Sequence, residues 1–535
     1  MAERTWLAIA LCCLVWFAYL KWFGPPPPTP IVQHSQSQTT APEKASAPAT
    51  ANVPFFEQKL VLLDSTSLKN DKMAVEFSDL GGKISQISLS GFHETRDPHS
   101  ELIQPVTPAE TPFSLATLFS DTTLQKLANG TFQRSSSGDA IQYVTTGDGL
   151  KIEKSYRLSG DSAYLVDSNI TVTFPEGSRN NWGYMVIPVG GTDLQFESSD
   201  PLQSWEVVGY QNESVTRKAF NKIKDGDLVQ QGNTGWLAFG NRYFSTVVIN
   251  RDSQINPDVV FSKNAAFQGG YLRFPLEMKA GQKSLTFNLR YYTGPKDYTD
   301  LAKVPGLKQL INYGTFSVIA YPILALLRFF YRFCRNYGIA IILLTILFRL
   351  LFYPLSAKSA RSMKAMQKLQ PQIQILKDKY KDDMQKFNQE QMALFKTHKV
   401  NPMGGCLPML LQLPVFIALY AVLGNSIELF HAPFFAWIQD LSAKDPFYIL
   451  PVLMGVSMFL QQRLTTTPGM DPVQQKMMYF MPVIFTFMMF KLPSGLTLYI
   501  FLSTLLGIGQ QMSINREREK SEPALVGVRA GAPKT

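Results

Sequence analysis

Long apolar stretches follow one another through the second half of the sequence. Five of them have 15 to 19 residues: 337–355, 406–423, 447–462, 477–492 and 495–509. As helices, which rise 1.5 Å per residue, they approach the roughly 30 Å hydrocarbon core of a bilayer. Charged residues make up only 17% of the chain, below the ~25% typical of soluble proteins. The sequence therefore predicts a polytopic α-helical membrane protein and excludes a disordered chain.

A sixth apolar stretch, residues 6–23, lies near the start of the sequence. It ends at Phe23 without the small-x-small pattern of a signal-peptide cleavage site. We therefore expect an uncleaved transmembrane anchor over 1–23, with a cleaved signal peptide as the alternative, and six transmembrane helices in all. The proline-rich segment 24–54 cannot bury enough apolar surface to fold, so it is predicted to be a flexible linker.

Residues 55–305 have a different texture, in which apolar and polar side chains alternate with a period of two. The runs 151–158 and 284–292 are examples, and turn signals such as Gly81-Gly82 separate the runs. Many short alternating strands predict a large all-β sandwich domain. His93 and His99 lie six residues apart with no cysteine or third histidine nearby, so no metal site is predicted there.

The segment 306–335 contains an apolar run long enough to cross a membrane, but it carries three arginines. Arg328, Arg332 and Arg335 are spaced i, i+4, i+7, which places them on one face of a helix. This pattern favours an amphipathic helix that lies in the membrane interface, with a transmembrane span as the alternative.

Loop charge predicts the orientation in the membrane. Residues 356–401 carry a net charge of +6, whereas residues 425–446 carry −2. Because basic loops stay on the cytoplasmic side, the first loop is expected in the cytoplasm and the second outside. With six spans, both termini are then cytoplasmic, including the basic tail 514–535, and the β domain is periplasmic.

Arg349 is the residue that points most clearly to a function, because it lies inside an apolar span. A charge near the bilayer centre costs about 2.5–3.5 kcal/mol on insertion scales. Snorkelling to the cytoplasmic interface is one explanation, and a water-filled cavity is the favoured one. Polar residues that would line the cavity are Thr345, Gln412, Tyr499, Ser503 and Thr504. None of the five spans contains Asp or Glu, so the predicted cavity is positively charged.

Two further features of the membrane half carry expectations. The last three spans have 15 or 16 residues, which predicts local thinning of the bilayer unless their true boundaries are wider. The segment 356–401 reads as a hairpin of two helices, 357–379 and 384–398, and Pro371 is expected to kink the first of them. An apolar stripe at helical spacing indicates intramolecular packing. The basic face of the hairpin suits anionic phospholipid or ribosomal RNA, and the residues proposed for those contacts are Lys364, Lys368, Lys377 and Lys381.

Several short motifs occur in order between residues 336 and 513. They are Arg349-Leu-Leu-Phe-Tyr-Pro-Leu, Leu369-Gln-Pro-Gln-Ile, Asn401-Pro-Met-Gly-Gly-Cys-Leu-Pro, Asp471-Pro-Val-Gln-Gln-Lys, Phe480-Met-Pro-Val-Ile-Phe and Pro493-Ser-Gly-Leu. In these motifs the chain resembles the YidC/Oxa/Alb membrane protein insertase family. The anchor, the linker and the large β domain resemble its Gram-negative YidC branch.

The resemblance implies a fold, a site and a set of partners. It implies a five-helix core, residues 336–513, with a hydrophilic groove, and a β domain similar to a sugar-mutarotase-like supersandwich. Arg349, Thr345, Gln412 and Tyr499 match groove positions, although Ile500 stands where some relatives have a second tyrosine. The implied partners are nascent membrane proteins, the ribosome and the Sec translocon (SecYEG and SecDF), at the bacterial inner membrane.

Three classes of function were compared. A non-enzymatic insertase and chaperone for new inner-membrane proteins, with no cofactor, no metal and no small-molecule substrate, fits the acid-free groove. A transporter of an anionic solute is the alternative, but repeated halves with broken helices are not apparent. A membrane enzyme lacks a recognisable catalytic motif. The sequence therefore favours the insertase.

Overall fold

The computed structural model describes residues 65–107, 114–191 and 205–521, apart from 225, 253, 264–266, 382, 399, 401–406 and 466–471. The predicted anchor 1–23, the linker 24–54 and residues 522–535 of the tail lie outside this part of the chain. The described residues form two compact units, which meet in sequence between Ile311 and Asn312.

The first unit consists of three antiparallel sheets. Nine strands have the order β11-β10-β13-β14-β17-β8-β7-β6-β5, five the order β12-β15-β16-β9-β4, and three the order β1-β2-β3. The strands are β1 Ser65–Lys69, β2 Met73–Ser78, β3 Lys83–Leu89, β4 Leu118–Phe119, β5 Gln133–Ser137, β6 Ala140–Gly147, β7 Leu150–Leu158, β8 Leu165–Thr173, β9 Asn181–Gly191, β10 Glu206–Gln211, β11 Ser214–Ala219, β12 Gly226–Gln230, β13 Thr234–Gly240, β14 Phe244–Asn250, β15 Asp258–Lys263, β16 Gln268–Glu277 and β17 Ser284–Pro295.

Alternating side chains build the core of this unit, as the period of two predicted. In β7 the buried positions alternate with partly exposed ones from Leu150 to Tyr156, and Ile152 pairs with Val172 of β8. The five-stranded sheet packs on the nine-stranded one, because β9 and β16 contact β13. The three-stranded sheet joins the same core through Phe77, whose ring lies 5.1 Å from that of Tyr156.

The turn between β2 and β3 depends on glycine and supports a buried lysine. Gly82 has φ +49°, and a Cβ there would lie 3.0 Å from the side chains of Phe132 and Tyr143. Lys154 of β7, only 1% exposed, donates a 2.7 Å hydrogen bond from Nζ to the carbonyl oxygen of Gly81. Its Nζ also lies 4.9 Å from the centre of the Phe132 ring. The turn therefore holds a cation inside the β unit.

Helices form the second unit, and two short helices lie in the β unit. The helices are α1 Thr122–Ala128, α2 Tyr298–Leu301, α3 Ser317–Cys334, α4 Tyr337–Leu351, α5 Tyr353–Lys368, α6 Gln370–Lys379, α7 Met384–Thr397, α8 Leu407–Asn425, α9 Ile449–Thr465, α10 Pro472–Met489 and α11 Ser494–Ser521. The helix α11 packs against α4 and α9, whereas α3 packs against α4 and α8. The predicted interfacial segment began at residue 306, but residues 306–311 belong to the β unit.

The first predicted span of the core, 337–355, is too long. The helix α4 ends at Leu351, and the next helix leaves at an angle of 59°. Pro354 explains the break, because its ring lacks an N–H and would clash with the carbonyl of the residue four positions earlier. Proline also divides the predicted hairpin helix 357–379, which forms α5 and α6 with Pro371 in the first turn of α6. The two expected hairpin helices are therefore three.

The last three helices are longer than the apolar stretches that predicted them. α9, α10 and α11 contain 17, 18 and 28 residues, because helix formation continues past the apolar part. Among the described helices, α3 alone has both the length and the hydropathy expected of a membrane span. A second span is present if α4 and the first part of α5 are counted together as one bent helix. The predicted thinning of the bilayer depends on the length of the apolar part of each helix and not on the length of the whole helix, so it stays a prediction.

The segment between α8 and α9, residues 426–448, is tied to both ends of α3. Before α3, the hydroxyl of Tyr313 lies 3.4 Å from that of Ser426. Near the other end, Arg328 Nε donates a 2.6 Å hydrogen bond to Glu428. After α3, Asn336 Nδ2 donates to the carbonyl of Phe434 at 3.0 Å.

Candidate functional site

The candidate site lies where α4 meets α11. Thr345 and Arg349 are four residues apart and therefore share one face of α4. The guanidinium of Arg349 donates a 2.9 Å hydrogen bond to the hydroxyl of Ser503 on α11, and it also donates to the carbonyl oxygen of Ser503. Hydrogen bonds from a charged donor are stronger than neutral ones. The two helices are thus joined by a cation and a backbone carbonyl, with no carboxylate in the contact.

A small cavity adjoins this contact. The described residues that line it are Thr345, Phe348, Arg349, Phe352, Ser356, Val415, Tyr499 and Ser503, of which only Arg349 is charged. The volume open to the centre of a water molecule is about 10 Å³, roughly what a single water requires. In this conformation the site is polar and positively charged, but it is nearly closed.

Four of the six predicted site residues meet at the cavity. Thr345 and Tyr499 are 1% and 3% exposed, and both line it together with Arg349 and Ser503. The hydroxyl of Thr345 donates its one hydrogen to the carbonyl of Ile341 within its own helix, so toward a ligand this hydroxyl can act only as an acceptor.

The other two predicted residues stand apart from this group. Thr504 is buried but donates to the carbonyl of Ile500 in its own helix, and it does not line the cavity. Gln412 belongs to α8, which also contributes Val415 to the lining; the side chain of Gln412 lies outside the described part. Ile500, the departure from the family pattern, does not line the cavity either.

Two residues that sequence reasoning missed surround the guanidinium of Arg349. A Cβ added to Gly507 of α11 would lie 3.2 Å from Arg349 Nη2 and 2.8 Å from Gln461 Nε2. The absence of a side chain at Gly507 therefore lets both polar groups approach the backbone of α11. The sequence did contain a signal for each of these two residues. Gly507 is a glycine four residues after Ser503 in an apolar helix, and Gln461 is a glutamine close to the end of the 447–462 stretch.

The hairpin 356–401 forms its own small core. Leu369, Ile373 and Phe395 are buried together, and Met366 packs against them. The apolar stripe is therefore used in intramolecular packing. Lys368, Lys377 and Lys381 are exposed, with Lys381 Nζ 3.8 Å from a carboxylate oxygen of Asp378. Lys364 lies in α5, and its side chain is outside the described part.

Comparison with known proteins covers both halves of the chain. The family model described as "60Kd inner membrane protein" matches residues 329–522, and that of the "YidC periplasmic domain" matches residues 65–326. The membrane protein insertase YidC of Geotalea uraniireducens is 37% identical over 535 aligned residues, which cover 96% of this chain and 99% of the relative. That of Oleidesulfovibrio alaskensis is 36% identical, over 94% and 97% of the two chains.

A solved structure is similar as well. It is described as an active YidC insertase with the first transmembrane domain resolved, and it is 21% identical, with a TM-score of 0.37, over 84% of this chain and 93% of that one. The sequence relatives extend over the β unit and the helical unit alike. With identities above one third along almost the whole chain, the chain belongs to the YidC membrane protein insertase family.

Proposed function

We propose that this chain is a membrane protein insertase and chaperone of the bacterial inner membrane, whose substrates enter at the Arg349 site. The observation that carries the proposal is the contact of Arg349 with Ser503, in a lining that contains no acidic side chain. A polar segment of a nascent chain cannot cross hydrocarbon with its polar groups unsatisfied. A cationic, hydrated groove would offer that segment hydrogen bonds and, if it is acidic, an attractive charge.

Substrate entry requires the groove to open. The cavity has space for about one water, which is far too little for a polypeptide segment. The contacts of Arg349 with α11 are two hydrogen bonds rather than an ion pair, so an acidic group of the substrate can replace them without leaving a protein carboxylate unpaired. The insertase therefore works by exchange of noncovalent contacts, without covalent catalysis.

The membrane arrangement in this proposal has six spans. The helices α4, α8, α9, α10 and α11 form the five-helix core, and the apolar stretch 6–23 supplies the sixth span. The helix α3 is taken to lie in the interface although its length suffices to cross the membrane. Both of its ends contact the same segment, through Ser426 and Phe434, whereas the ends of a spanning helix reach opposite sides of the bilayer.

The charged loops supply the orientation and the partners. The hairpin 356–401, with a net charge of +6, is cytoplasmic and available to the ribosome and to anionic phospholipid through Lys368 and Lys377, which are exposed. The β unit is periplasmic, both termini are cytoplasmic, and the Sec translocon (SecYEG and SecDF) passes on part of the nascent membrane proteins. Nothing in the described residues favours the alternative, a transporter of an anionic solute.

Site-specific photocrosslinking to nascent chains tests the proposal. A photoreactive residue at Thr345 or Tyr499, which line the cavity, should crosslink to newly made membrane proteins in cells. Ile346 is the matched control, because it is the neighbour of Thr345 on the same helix but is 36% exposed on another face. Nascent-chain crosslinks no stronger from the cavity positions than from Ile346 would contradict the proposed entry site.

A further inference from the structure

The exposed face of α3 is apolar. The helix buries Ala320, Ile323, Leu324 and Leu327 against its neighbours. On the other side, the side chains of Phe329 and Phe333 are exposed, the residues being 50% and 72% accessible, and their rings pack edge to face with centres 4.9 Å apart. A helix that turned this face to water would expose large hydrocarbon area, so the face is suited to lipid.

The three arginines of this region have separate environments. Arg328 is only 24% exposed in its side chain and forms an ion pair with Glu428. Arg332 and Arg335 are exposed, and neither has an ion pair or a side-chain hydrogen bond among the residues that the structure describes. The three arginines therefore do not form one common charged face, although their spacing suggested that they would. One arginine fixes α3 to the protein, and the other two remain available for an external anion.

The junction between α3 and α4 holds the two available arginines on a fixed backbone. Arg335 has φ +52°, and its N–H donates to the carbonyl of Tyr331 at 2.8 Å. The rings of Tyr331 and Tyr337 stack across the junction with centres 3.9 Å apart and planes within 8°. The backbone that carries Arg332 and Arg335 is thus braced from both helices, which lowers the entropic cost of binding an anion there.

A third exposed aromatic residue lies in a segment that contacts the junction. The hydrogen bond from Asn336 to the carbonyl of Phe434 draws the 434–438 segment onto the junction. The ring of Phe434 occupies the space beside Gly338, where a Cβ would lie 2.0 Å from it. Its neighbour Phe435 is 76% accessible. On α3, Phe329, Arg332 and Phe333 are spaced i, i+3, i+4 and therefore share one helical face. We define the junction patch as Phe329, Arg332, Phe333 and Arg335, with Phe435 exposed in the segment that contacts the junction.

We propose that the junction patch is a binding site for anionic phospholipid in the outer leaflet of the inner membrane. Arg332 and Arg335 bind the phosphate and the anionic headgroup, because guanidinium groups match phosphate geometry, and the phenylalanine rings contact the acyl chains. The patch is separate from the lysines of the cytoplasmic hairpin. The inference rests on the proposed topology, which puts residues 426–448 on the periplasmic side.

Quenching of Trp437 by brominated lipids tests the site, since this residue lies two positions from Phe435 in the same segment. The full-length protein is reconstituted with Trp6, Trp16 and Trp22 replaced by phenylalanine. Trp182, Trp205 and Trp236 also emit, so the part of the quenching that Trp437→Phe abolishes is compared between brominated phosphatidylglycerol and brominated phosphatidylcholine. An arginine near a membrane surface contributes about 1 kcal/mol of attraction to anionic lipid, a factor of roughly five. We expect phosphatidylglycerol to be preferred by at least that factor at Trp437.

Charge variants make the test specific. The preference should fall to about one in Arg332→Gln/Arg335→Gln, and it should survive in Arg332→Lys/Arg335→Lys. The matched control is Lys69→Gln/Arg157→Gln, which removes two exposed positive charges of the β unit and should leave the preference unchanged. Equal quenching by the two lipids in the starting protein, or an unchanged preference after loss of both arginines, would overturn the site. Crosslinking from Thr345 and Tyr499 reports on the proposed function independently, so the two proposals can fail separately.

Discussion

Lys154 and Arg349 each carry a positive charge out of bulk water, and each is held by a backbone carbonyl rather than by a carboxylate. Lys154 donates to Gly81 and Arg349 donates to Ser503. Burial, and to a smaller extent the nearby Lys83, together lower the pKa of Lys154 to about 7. Lys83 is itself buried, and burial lowers its pKa to about 8. Because burial disfavours the charged form of these lysines in the folded state, the free energy of unfolding depends on pH.

The stability of the β unit should therefore rise with pH. The unfolded lysine has a pKa near 10.5, so between pH 7 and pH 10.5 the unfolded chain binds more protons than the folded one, and higher pH favours folding. Below pH 7 both states are protonated and the dependence ends. From pH 7 to pH 9.5, Lys154 should add up to about 3 kcal/mol to the free energy of unfolding.

Urea unfolding of the full-length protein with Trp6, Trp16, Trp22 and Trp437 replaced by phenylalanine measures this slope through the fluorescence of Trp182, Trp205 and Trp236 in the β unit. Lys154→Met should flatten most of it. Lys151→Met is the matched control, because Lys151 lies on the same strand but pairs with Glu153 at the surface, and it should keep the slope. Identical slopes in Lys154→Met and the parent protein would rule out Lys154 as the source.

At the scale of elements, the approach of α4 and α9 to α11 depends on Gly507. Gly507→Ala introduces a methyl group 3.2 Å from Arg349 Nη2, and the flexible ends of Arg349 and Gln461 must move away. Alanine also favours a helix over glycine by roughly 0.5–1 kcal/mol. We therefore expect a loss of insertion of about threefold to tenfold for substrates with acidic segments, together with an unchanged or slightly raised melting temperature.

Gly509 provides the comparison, since it lies in the same helix and nothing is within 4 Å of an added Cβ. Gly509→Ala should give the same gain in stability and leave insertion intact. Insertion assays and thermal unfolding on both variants decide the matter. Equal activity of the two alanine variants would show that the close contact at Gly507 has no part in the groove.

Element positions followed from the sequence more readily than element ends or contacts. The apolar stretches located α4, α8, α9, α10 and α11 because hydropathy reports the environment of a segment. Their ends were missed where the backbone decides, as at Pro354. Arg349 and Ser503 were both predicted, but not that one donates to the carbonyl of the other, since a backbone acceptor leaves no trace in side-chain identity. Gly507 was missed because the approach of other side chains to a helix backbone likewise leaves no trace in side-chain identity.

At the scale of the whole molecule, the two loops of opposite charge make a direct prediction about sidedness. Lys386 and Lys444 are both exposed and lie in the +6 and −2 segments. In a protein whose own cysteines are replaced by serine, Lys444→Cys should react with a membrane-impermeant maleimide once the outer membrane is permeable. Lys386→Cys should react only after the inner membrane is opened. The opposite pattern would invert the topology and remove the basis for the outer-leaflet lipid site.

The positive charge of Arg349 sets the expected size of the effect that its substitution has on the insertion rate. A charge pair at about 4 Å is worth some 4 kcal/mol at an effective dielectric constant near 20. Water in an open groove reduces this, so one to two decades in rate is the most that Arg349 can contribute. Arg349→Lys keeps the charge and should retain most of the activity, although the two hydrogen bonds from Arg349 Nη2 to Ser503 are lost.

Insertion of one test protein carrying an acidic, a neutral or a basic tail, at matched levels of insertase, measures that contribution most directly. Arg349→Ala should slow the acidic-tail substrate by about tenfold to a hundredfold, within the limit set by the charge pair, and should slow the neutral and basic ones much less. Arg349→Lys should resemble the parent protein for all three tails. Equal slowing of the three substrates by Arg349→Ala, or normal insertion of all three, would contradict electrostatic attraction of the substrate by Arg349.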